Sequence, residues 1–256
     1  MCLIAIAYRA HAAYPLLVAA NRDEYYRRPT APAAFWEESP QLLAGRDLEA
    51  GGTWMGITAG ARFAAITNHR NPAGTPANPR SRGMLTRDFL LGDDSAGDYL
   101  RKLDGDGESY AGFNLLLSDA NGLFYYSNVE REVRELPPGV YSLSNALLDS
   151  DWPKQRQAAL ALGAALDGGL DHESLRATVS DRATAADAEL PGTGLDPAME
   201  RALSAQFIVT PEYGTRATTT LALHSDGRTE FTEQSFDAGG IAAGERHYVF
   251  RQNTAW

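Results

Sequence analysis

A chain of 256 residues with 44% hydrophobic content can bury one large core or two small ones, which excludes wholesale disorder. Its 33 acidic against 23 basic residues, a net charge of −10, exclude a nucleic-acid backbone as partner, because that contact needs a concentrated basic surface. The single cysteine, Cys2, excludes an internal disulfide, and no apolar run approaches the ~18 residues of a membrane span.

Cys2 heads the run Leu3-Ile4-Ala5-Ile6-Ala7, which reads as a buried strand. The run has no basic segment before it and stops at Tyr8-Arg9, too short for a signal-peptide core, so a soluble cytoplasmic protein is expected. Leu16 to Ala20, Thr53 to Thr58 and Arg62 to Thr67 follow as short strands, the last two joined at Ala59-Gly60. Apolar residues then recur at helical spacing over Gly83 to Leu91 and Gly97 to Leu103. Gly112 to Ser118 and Gly122 to Ser127 form a second hairpin around Asp119-Ala120-Asn121. Trp152-Pro153-Lys154 opens an alanine-rich helix to about Leu166, with Asp151 as expected N-cap and Gly168-Gly169 beyond its end. Leu175 to Val179 reads as a helical turn and Asp181 to Pro197 as an exposed connection. Arg216 to His224, Thr229 to Ser235 and His247 to Arg251 close the chain as strands. Strands and helices in blocks, rather than in strict alternation, predict an α+β fold of stacked antiparallel sheets with helices outside; a single sheet with helices on one face is the architectural alternative. No linker or repeat divides the chain, so one domain over 1–256 is expected.

The chemistry concentrates at strand ends. Loss of Met1, which the small Cys2 permits, puts a thiol and a free α-amine on one residue, and that amine can take the thiol proton without a histidine. The opposing reading is that Cys2 packs as a small hydrophobe. Ala20-Asn21-Arg22-Asp23-Glu24 ends an apolar strand in polar residues. Arg22 beside a thiolate would lower its pKa and Asp23 could hold the amine, whereas the plainer reading is a solvated turn. Asn68 and Asn145 end later strands and are candidate oxyanion donors. Arg216 opens a threonine-rich strand, where an arginine is more often a surface ion-pair partner. The glycine-rich run Gly51-Gly52-Thr53-Trp54 lacks both the P-loop and the dinucleotide pattern, so its glycines are expected to let backbone approach backbone. The histidines, His11, His69, His172, His224 and His247, show no ligand spacing, so no metal is expected.

The Met1-Cys2-Leu3-Ile4 start, Asn21-Arg22-Asp23-Glu24, Arg28-Pro29, Phe35-Trp36, Leu43-Ala44-Gly45-Arg46-Asp47, Gly51 to Gly56, Thr67-Asn68, Tyr141 to Leu148 with Trp152-Pro153-Lys154, and Tyr213-Gly214-Thr215-Arg216 together resemble the Asn-Arg-Asp-Glu family, also called the transport and Golgi organisation family. The resemblance runs from Met1 to about Phe231 and implies the N-terminal nucleophile hydrolase fold, a four-layer αββα sandwich of two antiparallel sheets between helices. Through the related bile-salt hydrolases and penicillin V acylases it implies Cys2 as nucleophile and base, Arg22 and Asp23 as tuning and orienting groups, Asn68 and Asn145 as oxyanion donors, and Arg216 as completing the polar shell. Members of the family have also been linked to haem mobilisation, lipid or acyl-CoA homeostasis and secretory-pathway organisation.

Two functions follow. One is a cysteine amidohydrolase acting on a small linear amide or acyl conjugate, with no cofactor required. The other is a non-catalytic carrier of haem or acyl-CoA in a pocket lined by aromatics such as Trp36, Trp54 or Trp152. Both take a small-molecule ligand and neither uses nucleic acid or a membrane span.

Overall fold

A computed structural model describes residues 2–70 and 76–253. In chain order the strands are β1 (Cys2–His11), β2 (Tyr14–Tyr25), β3 (Thr30–Trp36), β4 (Ser39–Asp47), β5 (Met55–Thr58) and β6 (Phe63–Asn68). The helices α1 (Gly83–Leu91) and α2 (Ala96–Asp104) come next, then β7 (Phe113–Asp119), β8 (Gly122–Ser127), β9 (Glu132–Leu136) and β10 (Gly139–Leu143). Three helices, α3 (Pro153–Ala165), α4 (His172–Ala177) and α5 (Pro197–Ala202), precede β11 (Tyr213–Leu223), β12 (Arg228–Phe236) and β13 (Ala242–Arg251).

These elements form two compact units. The first holds the chain up to Arg27 with Pro138–Ser225 and Thr229–Val249, and carries a six-stranded sheet in the order β10-β1-β2-β11-β12-β13. The second holds Arg28–Pro137 and carries a seven-stranded sheet in the order β3-β4-β5-β6-β7-β8-β9. The β1–β10, β1–β2, β2–β11 and β11–β12 pairings of the first are antiparallel, as are all those of the second.

In the first unit β1 is an interior strand, buried from Cys2 through Tyr8. Side chains alternate between the faces of a strand, so Leu3, Ala5 and Ala7 share a face, as do Leu17 and Ala19 on β2. These residues pack with Ala158 and Leu162 of α3 and Leu175 of α4 in one apolar cluster. Helices therefore cover that face. In the second unit Leu85, Phe89 and Leu90 of α1 and Ala96, Leu100 and Leu103 of α2 seal the sheet through Leu115, Leu117 and Tyr126.

Several elements depart from the expected ones. β3, β4 and β9 were not expected as strands. β3 contains Pro32 and alternates poorly, and β9 (EVREL) is a charged edge strand whose polarity suits exposure. The helix begun by Pro153 has Trp152 at the N-cap with no side-chain cap, and Asp151 instead ion-pairs with Arg156 at 2.5 Å. The expected turn at Leu175 is a helix starting earlier, at His172, because Asp171 and Ser174 form a reciprocal capping box. Within the expected exposed connection the chain makes a short 3-10 turn at Asp187–Glu189 and then enters α5, capped by Asp196.

The backbone approach expected at the glycine-rich run occurs at Gly52. A Cβ there would lie 2.5 Å from the carbonyl oxygen of Gly83 and 2.9 Å from the Met84 nitrogen, against backbone that cannot rotate away. Gly52→Ala is expected to lower the urea midpoint by the equivalent of about 1–3 kcal/mol, as overpacking does. Gly60→Ala, whose Cβ would meet only Thr58 Oγ1 at 3.6 Å, should leave the midpoint nearly unchanged.

Candidate functional site

Cys2, Arg22, Asp23, Asn145 and Arg216 all belong to the first unit, and the strand register brings them to one end of its sheet. Across β1 and β2, Cys2 stands opposite Arg22 and Leu3 opposite Asn21. Directly opposed residues project to the same face, so the thiol and the Arg22 side chain share one side of the sheet. Asn21 and Asp23 project to the other. Across β2 and β11, Thr215 stands opposite Asp23, and a register shift between Thr215 and Ala217 takes Arg216 out of the ladder. On the far side of β1 the last paired residue of β10 is Leu143, opposite Ile4. The chain then continues toward Cys2 through Ser144 and Asn145.

Each group has a distinct environment. Burial pushes the Cys2 thiol above its ordinary pKa, and the charge of Asp23 pushes it further; Arg22 and the Asp23 backbone N–H act in the opposite sense. At neutral pH the thiol is therefore protonated. Burial also raises the Asp23 carboxyl, against the opposing charges of Lys154 and Arg22 and a 2.7 Å hydrogen bond donated by Thr215 Oγ1 to Oδ1. Tyr213 Oη donates to the Asp23 carbonyl at 2.8 Å, and burial holds that phenol well above its usual range. Arg22 reaches Glu24 at 3.8 Å. Arg216 donates to the Tyr25 and Tyr26 carbonyls at 3.1 and 3.2 Å, and burial and then the like charge of Arg22 lower its pKa, which marks the two guanidinium groups as neighbours.

Asn145 is fully buried, and its carbonyl oxygen lies 3.3 Å from Ser144 Oγ, the hydroxyl that donates to the Cys2 carbonyl at 2.9 Å. Ser144 thus ties the Cys2 backbone to the Asn145 side chain. Asn68 ends β6 in the second unit, opposite Phe113. Asn21, first residue of the quoted motif, is a structural tie. Its Nδ2 donates to the Val179 and Gln206 carbonyls at 2.7 and 2.9 Å and its Oδ1 accepts from Thr218 at 2.6 Å.

Sequence reasoning missed Thr215, Tyr213, Ser144 and Lys154 as members of this environment. Thr215 and Tyr213 lay inside a quoted motif beside Arg216, and strand alternation was the signal that could have paired Thr215 with Asp23. Gly214 has a steric reason. A Cβ there would collide with Tyr26 Oη and lie 2.6 Å from the Ile208 carbonyl oxygen.

The aromatics and histidines divide differently from their sequence reading. Trp36 is buried in the core of the second unit, its Nε1 donating to the Ala44 carbonyl at 3.1 Å, and Trp54 packs on the same core. Both tryptophans serve packing there. His172 and His224, far apart in sequence, reach the two oxygens of Glu230 at 3.1 and 3.0 Å. Among the described residues no three His, Cys, Asp or Glu side chains form a group able to hold a metal ion.

The opposing effects of Arg22 and Asp23 on the thiol give a measurable sign. At a fixed pH below the thiol pKa, Arg22→Met is expected to slow alkylation of Cys2 by iodoacetamide several-fold, and Asp23→Asn to accelerate it, because the thiolate fraction governs the rate. Intact-mass kinetics distinguish this from a change of access, which would move both variants in the same direction.

Comparison with known proteins bears on the same residues. The profile of the family described as Transport and Golgi organisation 2 matches residues 1–238. The Transport and Golgi organization protein 2 homologs of Bos taurus and Homo sapiens are each 37% identical to this chain, over 245 and 250 residues, with 87% of each partner covered. Among solved structures, a Caenorhabditis elegans ortholog of N-acylethanolamine-hydrolyzing acid amidase superposes with a TM-score of 0.53 at 11% identity, over 86% of this chain and 92% of that one. A mutant conjugated bile acid hydrolase from Clostridium perfringens gives 0.52 at 8% identity, over 99% and 93%. These likenesses establish the N-terminal nucleophile hydrolase fold, with two large antiparallel sheets. With the family profile matched over residues 1–238 and homologs 37% identical over 87% of each chain, the chain belongs to the Transport and Golgi organisation 2 family.

Proposed function

We propose that the chain, once Met1 is removed, is an N-terminal-cysteine amidohydrolase acting on a small linear amide or acyl conjugate. The observation that carries this reading is the register that sets the Cys2 thiol beside Arg22 and next to Asp23 at a buried strand end, with Asn145 following from β10. The fold shared with an N-acylethanolamine-hydrolyzing acid amidase ortholog and a conjugated bile acid hydrolase supports it. A thiol raised by burial needs a base, and the α-amine of Cys2 itself supplies one.

In this mechanism the amine takes the thiol proton and the sulfur attacks the amide carbonyl carbon. A C–S bond forms and the carbonyl oxygen becomes an oxyanion, which the Asn145 side-chain amide stabilises by donating a hydrogen bond. Collapse breaks the C–N bond, and the ammonium returns its proton to the leaving amine. Water, deprotonated by the same amine, then attacks the thioester, releasing the acid and restoring the thiol. Arg22 and Asp23 complete the assignment as groups that tune and orient Cys2, and Arg216 as a shell residue.

The second reading is a non-catalytic carrier of haem or acyl-CoA, and it is favoured by the buried, protonated state of the thiol, which suits packing as well as chemistry. The two differ in what Cys2 does. With Met1-free protein and a fluorogenic N-lauroyl amide of aminomethylcoumarin, Cys2→Ser is expected to reduce turnover by about 100-fold or more, because a hydroxyl is far less nucleophilic than a thiol near neutral pH. In the carrier reading Cys2→Ala leaves binding of haem or of lauroyl-CoA intact. Tight, reversible binding by Met1-free protein that cleaves no member of a panel of N-acyl amides would overturn the hydrolase.

A further inference from the structure

Lys154 is fully buried, and a buried ammonium must be compensated because its isolated transfer from water is prohibitive. It lies in the first turn of α3, on the stripe Lys154, Ala158, Leu162 that recurs every four residues. Ala158 and Leu162 pack on Leu3, Leu17 and Ala19, so this stripe faces the side of the sheet to which Asp23 also projects, four residues beyond Ala19 on β2. The apolar seam between α3 and the sheet thus continues at the site end into a buried lysine on the helix and a buried aspartate on the strand.

The hydrogen bonds of the same turn reach the groups around Cys2. Lys154 Nζ donates to the Leu203 carbonyl at 3.0 Å. The segment beyond Leu203 returns to Asp23, since the Ile208 backbone N–H donates to Thr215 Oγ1 at 2.9 Å and that hydroxyl donates to Asp23. Gln155, also fully buried, donates from Nε2 to the Ser142 and Leu147 carbonyls at 3.2 and 3.3 Å, spanning the loop that carries Asn145.

We propose that Lys154 is the buried counter-charge of Asp23 and that, with Gln155, it makes the first turn of α3 the positioning element of the Cys2 site. The ammonium keeps Asp23 ionised so that the carboxylate can hold the α-ammonium of processed Cys2, while Gln155 fixes the loop bearing the oxyanion donor. This catalytic consequence rests on the hydrolase reading; the charge pairing does not. Lys154 heads the charged groups that oppose the burial of Asp23, ahead of Arg22. Arg22 on its own strand and, in Met1-free protein, the α-ammonium of Cys2 on β1 are the further cations beside Asp23, and the Cys2 thiol and Tyr213 on β11 are the other titratable groups that face it.

The test is an NMR titration of full-length, Met1-free protein carrying 13Cγ-aspartate, with Asp23 assigned from the signal lost in Asp23→Asn. Lys154→Met is expected to raise the Asp23 midpoint by about one pH unit or more, and Lys154→Arg to leave it near the wild-type value. An Asp23 midpoint unmoved in Lys154→Met overturns the pairing. Should Lys154→Met fail to fold, the wild type alone decides, because the Lys154 15Nζ shift must inflect at the Asp23 midpoint and an absent inflection overturns the pairing equally. The positioning role is read from the pH profile of Cys2 alkylation by iodoacetamide, whose acid limb should move with Asp23 in Lys154→Met and return in Lys154→Arg; a profile unchanged in Lys154→Met overturns it. Failure of the hydrolase reading shows instead as wild-type protein that cleaves no N-acyl amide, a result that leaves the titrations where they are.

Discussion

The site depends on one constraint, the register of β1 against β2. Leu3, Ala5 and Ala7 must face the apolar cluster under α3 and α4, together with Leu17 and Ala19. A slip of one residue would turn all of them to the opposite face, at a cost of several buried side chains of about 1.5–3 kcal/mol each for the larger ones. Hydrophobic burial along the strands therefore decides where the polar ends fall. Once Leu3 is opposite Asn21, Cys2 is opposite Arg22, and the thiol has a guanidinium on its own face and a carboxylate on the other.

The same alternation gives the four residues Asn21 to Glu24 separate tasks. Asn21 ties β2 to two loop carbonyls and to Thr218, a buried amide with partners at both ends. Arg22 sits by the thiol with Glu24 two residues on, and Asp23 turns toward the helix side where Thr215 meets it. Asn21 and Arg22, although adjacent, thus serve opposite faces of the sheet. The bulge at Arg216 belongs to this division. By leaving the ladder, Arg216 lets Thr215 keep its place opposite Asp23 while its own guanidinium closes over the carbonyls at the end of β2.

Much of this was legible in the chain because it follows short-range rules. The helix over Gly83–Leu91 matches its expected bounds, and the hairpin at Asp119-Ala120-Asn121 forms where the turn residues stand, with the Asn121 N–H bonded to Asp119 Oδ1. The edge strands β3 and β9 were not legible. They owe their form to a neighbour on one side only, so β9 could be charged and β3 could carry a proline without penalty. Lys154 was hidden for a related reason. A lysine near the start of an alanine-rich helix reads as solvated, and only the three-dimensional seam reveals that its stripe is buried. Scattered histidines likewise gave no hint that Glu230 gathers two of them, because sheet pairing, not sequence spacing, aligns Glu230 with Ala222 two residues before His224.

That histidine cluster also bears on the source of a base for Cys2. His224 lies against Tyr14, which lies against His11 near the start of β2, while His172 meets His247 edge to face beside Thr220 and Thr232, farther along the sheet. Cys2 stands where β2 ends and β11 begins. His11 and Tyr14 pair at the end of β1 and β2 away from Cys2, and His172 bonds Thr220, which stands opposite Ala19 three residues short of Arg22, so among the described residues no histidine of this unit stands at the strand end that carries the thiol. In the hydrolase reading the proton must pass to the amine of Cys2 itself, which exists only when the preceding methionine is gone. In that reading removal of Met1 would be the switch between a buried thiol and a nucleophile, and the charges of Arg22 and Asp23, set by the register, would set the pH at which it works.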